Sequence, residues 1–168
     1  VNHDTGPLQM TITSQGNLGY VDFQGGSPGL GFVFNGSDYL FEAGLMIGAS
    51  ATQVSDCVRE VDPDNQQNDF VGIEDINFIS PAALSHEEAS VTITDAVAAN
   101  PIGVEVKQQS FSYDQEGLTD FVIMRYEISN TTADSLNGLF AGLFFDWDIN
   151  ADATDFADFD ESLNLGWV

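Results

Sequence analysis

The chain has 168 residues, 43 % of them hydrophobic, and sets three basic side chains, Arg59, Lys107 and Arg125, against twenty-seven acidic ones for a formal charge of -24. Such a surface has almost nothing with which to neutralise phosphates, so no nucleic acid and no anionic membrane surface is expected among its partners; its natural small ligands are cations, divalent ones included. The apolar content exceeds that of a disordered acidic tail, so the charge coats a core, and the length fits one domain over residues 1–168 that needs no disulfide staples.

Period-two alternation recurs from end to end, and no segment of a dozen residues sustains a helical stripe. First, Leu8, Met10 and Ile12 alternate with Gln9, Thr11 and Thr13. Further strands are predicted over 18–23, 30–34, 39–47, 52–59, 71–78, 90–94 and 104–113, with turns at 25–29, Asn35-Gly-Ser37 and Asn100-Pro101. Residues 62–68 read as a surface loop, and 81–89 have room for one helical turn. Within 104–113, Val104 and Val106 share one parity while Phe111 and Tyr113 share the other, which predicts a bulge or register change near Gln108. Val122, Met124, Tyr126 and Ile128 form the core face of the next strand, whose opposite face is polar at Arg125, Glu127 and Ser129. The polar stretch 130–135 should fold it back against 138–147, a strand apolar on both faces and therefore expected at the centre of a sheet. Residues 163–168 read as a last strand. Many short strands between turn signals predict an all-β chain, a two-sheet antiparallel β-sandwich.

The lone Cys57 is expected to be a small buried hydrophobe. No stretch reaches the roughly 20 apolar residues of a membrane span, so no membrane insertion is expected. Val1 opens without a methionine and the last strand pattern stops at Val168, which reads as a fragment of a longer polypeptide. Acidity with so little lysine and arginine reads either as plain solubility or as adaptation to high salt, since so many like charges repel unless ions screen them.

Few residues carry recognisable chemistry. Gly25-Gly26-Ser27-Pro28-Gly29 matches the nucleophile-elbow pattern of hydrolases, but the residue after the serine must lend its N–H to the oxyanion hole and Pro28 has none, so the segment reads as a hairpin loop. His3 and His86 are too few for a zinc site and are expected to be exposed. Among so many acids some pair will stand at glycosidase spacing, which keeps an acid-pair glycoside hydrolase as an alternative without identifying the pair. Asp146, Asp148, Asn150, Asp152 and Asp155 place oxygens at near-alternate positions, as a loop wrapping a hard cation requires. The run resembles the opening of an EF-hand, from which it departs at Ala151, where the turn glycine belongs, and at Ala157, where the closing acid belongs. A looser, structural Ca2+ site at a sandwich edge is therefore expected, against the competing reading of a solvated acidic loop. Trp147, Trp167, Tyr20, Tyr39 and Tyr113 could stack on sugar rings, the basis for an alternative as a carbohydrate- or polymer-binding module.

His3-Asp-Thr-Gly6, the segment from Phe41 to Gly48, the segment from Asp120 to Asn130 and the strand end from Gly142 to Ile149 together resemble a β-sandwich accessory domain of large secreted bacterial proteins, including some subtilisin-like peptidases. The resemblance spans nearly the whole chain, and its pieces are strand patterns without a protease's catalytic motifs. It implies a non-catalytic domain, extracellular or at the cell surface, whose partners are other domains of the same polypeptide.

Overall fold

A computed structural model describes residues 1–19, 29–58, 68–149 and 155–168. In chain order its strands are β1 (Asn2–His3), β2 (Leu8–Thr11), β3 (Phe32–Phe34), β4 (Ser37–Asp38), β5 (Leu40–Ser50), β6 (Gln53–Asp56), β7 (Val71–Gly72), β8 (Asn77–Phe78), β9 (Glu87–Thr94), β10 (Val104–Ser112), β11 (Ile123–Asn130), β12 (Phe140–Trp147), β13 (Asp158–Asp160) and β14 (Leu165–Trp167). All pairings are antiparallel, and no helix occurs among the described residues, as the alternation predicts. Among them, accordingly, no helix is long and apolar enough to cross a membrane.

One sheet runs β11-β10-β9, with β7 and β8 both on the far edge of β9; a second runs β12-β5-β6, a third β1-β2-β3-β4, and β13 pairs with β14. The bridges Ile12–Leu18 and Leu18–Ala43 connect the third sheet to β5. Leu45 and Ile47 of β5 share one buried cluster with Val91 and Ile93 of β9 and Val104 and Val106 of β10, the common core that a sandwich requires. Each such side chain contributes roughly 1.5–3 kcal/mol on burial. Met10, Ile12, Leu18, Leu40 and Ala43 form a second cluster, and Ile76 packs against both.

Local chemistry explains several connections. Asn35 and Gly36, at φ 50° and 85°, make the two-residue turn that pairs Phe34 with Ser37. Between β9 and β10, the fully buried Asp95 carboxylate accepts hydrogen bonds from the N–H groups of Ile102 (2.6 Å), Val104 (2.9 Å) and Gly103, and from Ser55 Oγ (2.9 Å), tying the turn to β6. Residues 81–86 form no helical turn. Glu88 Oε1 instead accepts from the N–H groups of Ala83, Leu84 and Ser85, which hold its carboxyl below the usual range, Leu84 most strongly, and wrap the chain around the side chain.

Three expectations change. The stretch 71–78 is split into β7 and β8, with Glu74 between them reaching back to the Thr92 N–H. β10 shows no bulge: its register with β9 and β11 runs unbroken from Glu105 to Phe111. The third concerns β12, which pairs with β5 and not with β11, and lies at the end of its sheet with no strand on its outer edge among the described residues. Residues 131–139 arch between the sheets because Thr131 is held by Gly103 O through both its N–H and its hydroxyl (2.9 Å each), while Leu136 and Leu139 pack against the core. The core face predicted for β11 is as expected, with Met124, Tyr126 and Ile128 turned toward the clusters.

Candidate functional site

The inner face of β10 continues past Val104 and Val106 as Gln108, Ser110 and Ser112, all buried. This is why apolar parity misleads near Gln108: the face stays inward while its chemistry turns polar. His3 covers it and, contrary to expectation, is 0 % exposed. Its Nε2 lies 2.8 Å from Ser110 Oγ, and its Nδ1 lies 2.9 Å from Ser112 Oγ and 3.1 Å from Glu87 Oε2. Ser112 Oγ donates to Glu87 Oε2 (3.0 Å) and pairs with Thr5 Oγ1 (2.8 Å), and the Asp4 N–H reaches the same carboxylate (3.3 Å). Phe78 closes the site edge-on to the imidazole at 5.4 Å.

A serine, a histidine and an acid in this connectivity evoke a hydrolytic triad. Yet Ser110 is 1 % exposed, so no substrate carbonyl can reach its hydroxyl in this conformation. Burial disfavours the imidazolium and lowers the His3 pKa; burial would raise that of Glu87, but hydrogen bonds from Ser112, His3 and the Asp4 N–H outweigh it and hold the carboxyl below its usual range. The network is thus a neutral imidazole clamped by hydroxyls, fastening the N-terminal strand to β9 and β10. The signal in the sequence was Gln108, Ser110 and Ser112 at the parity of Val104 and Val106, opposite a buriable His3. His86, by contrast, is exposed and paired with Asp114 at 3.0 Å.

Cys57 is buried as expected. Its thiol donates to Leu45 O (3.6 Å), and burial pushes its pKa up to about 12, which removes it as a nucleophile. Ser27 lies outside the described residues.

Of the predicted calcium ligands, Asn150 and Asp152 also lie outside the described residues. Asp146 is exposed near the end of β12, across from Glu42 and just before a register shift at Trp147. Asp148 donates its N–H to Tyr39 O (2.8 Å), and Asp155 Oδ2 accepts from the Ile149 N–H (3.2 Å). The last contact places Asp155 beside the strand end. No group of three or more metal-ligating His, Cys, Asp or Glu side chains converges among the described residues.

The aromatic residues part company. Tyr39 and Trp147 line one cleft, Tyr113 lines a second beside Ile123 and Arg125, Trp167 lines a third with Leu143 and Phe145, and Tyr20 lies outside the described residues. Exposed apolar side chains occur on both faces of β12, where Phe140 is 76 %, Leu143 43 % and Phe144 39 % exposed, and Phe159 and Trp167 of the β13–β14 hairpin are exposed as well. No protein-family model, curated protein or solved structure matches the chain.

Proposed function

We propose that this chain is a non-catalytic accessory domain of a secreted or cell-surface bacterial multidomain protein, of which a subtilisin-like peptidase is one form, and that its partners are other domains of the same polypeptide. The observation that carries the reading is the apolar outer strand β12. A strand with exposed phenylalanine and leucine and no partner on its outer edge among the described residues invites aggregation unless something covers it. The sealed His3 network supports the same reading, since its polar chemistry is spent on structure. The chain alone should bind the uncharged apolar dye Nile red and lose that binding when joined to the adjoining sequence of its polypeptide; absence of binding, or binding unchanged by the joining, contradicts the reading. General peptidase and esterase substrates should not turn over, and turnover abolished by Ser27→Ala would overturn it.

A structural Ca2+ ion belongs to the same proposal, favoured by the Asp155–Ile149 contact that brings Asp155 to the end of β12. Binding only the folded state, it would stabilise by about 2.7 kcal/mol at a hundredfold excess over Kd. Calorimetric titration should show binding by the native chain and weaker binding by Asp148→Ala; no binding, or equal binding, leaves the aspartates a solvated loop. The acidity itself we attribute to a high-salt setting, in which case the melting temperature rises between low salt and molar sodium chloride.

A further inference from the structure

A cleft of about 340 Å3 opens between β3, the residue before β5 and the end of β12. Among the described residues Phe32, Phe34, Tyr39 and Trp147 supply its walls, Leu8 and Ile149 add to its apolar lining, and Asp120 is the one charged side chain. Phe32 and Phe34 share a face of β3 by strand parity. The frame is stitched by backbone hydrogen bonds, Tyr39 N–H to Phe32 O (3.0 Å) and Asp148 N–H to Tyr39 O (2.8 Å), so the rings are held apart from any ligand. Phe145 stacks parallel to Trp147 (5.2 Å, 3°), while Phe32 stands almost perpendicular to it (5.2 Å, 83°).

We infer that this cleft is a binding site for a small organic cation bearing N-methyl groups, a quaternary ammonium, held by the aromatic faces and by the Asp120 carboxylate. Phe32 and Trp147 touch edge to face and Phe145 stacks on Trp147, so these rings brace one another and leave Phe34 and Tyr39 as the aromatic side chains to meet a ligand. Among the described lining residues the polar side-chain groups are the Asp120 carboxylate, the Tyr39 hydroxyl and the Trp147 indole N–H, a set that suits a ligand carrying charge better than one needing many hydrogen-bond partners. That description matches a methylated ammonium, whose charge is attracted by the negative faces of aromatic rings, and does not match a polyhydroxyl chain. The surrounding charge of -24 raises the local concentration of any cation and disfavours anionic ligands. The site does not depend on the accessory-domain reading, which concerns the exposed side chains of β12.

Trp147 reports on the site once Trp167, the other tryptophan, is replaced by phenylalanine. In that variant, tetramethylammonium chloride and choline chloride, titrated at constant ionic strength against sodium chloride, should each give a saturable change in emission. The neutral isostere of choline, 3,3-dimethylbutan-1-ol, should bind at least about tenfold more weakly. Asp120→Asn, at an exposed position, should weaken choline about fivefold without changing the urea midpoint. Equal binding of the neutral isostere would reduce the site to an ordinary apolar cleft and overturn the proposal. So would a response to sodium that matches choline, or saturation by cello- or malto-oligosaccharides where the cations give none.

Discussion

The two ends of β10 face the same interior with opposite chemistry. At one end Val104 and Val106 meet Leu45, Ile47 and Ile93 in an apolar cluster; at the other Ser110 and Ser112 meet His3 and Glu87. Both ends are buried, on one strand and one parity. At Ser110 and Ser112, then, hydrogen bonds accompany burial where apolarity does at Val104 and Val106, while the amide of Gln108 between them is buried without a side-chain partner; the polar half also brings a dependence on pH that the apolar half lacks.

That contrast can be broken by substitution. His3→Ala should be the most costly change, about 3 kcal/mol in urea denaturation, because it takes the imidazole partner from the buried Ser110 hydroxyl, removes one partner each from Ser112 and Glu87, and leaves a cavity where a fully buried ring stood. A cost under about 1 kcal/mol would mean that the network is incidental. At the apolar end, Gly44→Ala should cost about 2 kcal/mol, since its Cβ would stand 2.6 Å from Cys57 Sγ. Cys57→Ala in the same chain should recover part of that loss, a non-additivity that distant sites would not show.

A smaller effect concerns pH. The folded-state pKa of His3 lies below 6.5, so the unfolded chain binds the proton first and stability falls as pH drops below about 6.5 toward the folded value. Glu87, also lowered, adds a loss of the same sign at more acid pH, below its ordinary value of 4.5. The Val1 amino group, also lowered by burial from 8.0, adds a loss of the same sign, so denaturation midpoints between pH 7 and 5.5 should decline more steeply in the native chain than in His3→Gln; parallel curves would assign the decline elsewhere. The smallest effect is expected outside the core: Phe140→Ser, on the exposed edge, should change stability by less than about 0.5 kcal/mol while reducing dye binding.

Much of this architecture was legible in the sequence. Alternation marked most of the longer strands and the inward face of β11, and turn chemistry marked Asn35-Gly36, because each depends on neighbours one or two residues apart; the short β1, β4 and β13 carry no such signal, and most of the strand expected over 18–23 lies outside the described residues. What escaped depends on contacts far along the chain. His3 is buried only because Ser110 and Ser112 return to it from more than a hundred residues away, and no local pattern separates a histidine with such partners from an exposed one. β12 was expected at a sheet centre because both its faces are apolar. Apolarity reports what a strand must be shielded from, not whether the shield lies within the same domain. The acidic loop was visible as a run of oxygens, but its alternation could not foretell the Asp155 contact with Ile149.

Hydrogen exchange read segment by segment tests the central claim, that β10 is the locked interior and β12 the surface awaiting a partner domain. In the chain alone, amides of β10 should exchange orders of magnitude more slowly than those of β12, and joining the adjoining polypeptide should slow β12 while leaving β10 unchanged. Equal protection of the two strands in the isolated chain, or a β12 indifferent to its neighbours, would contradict it.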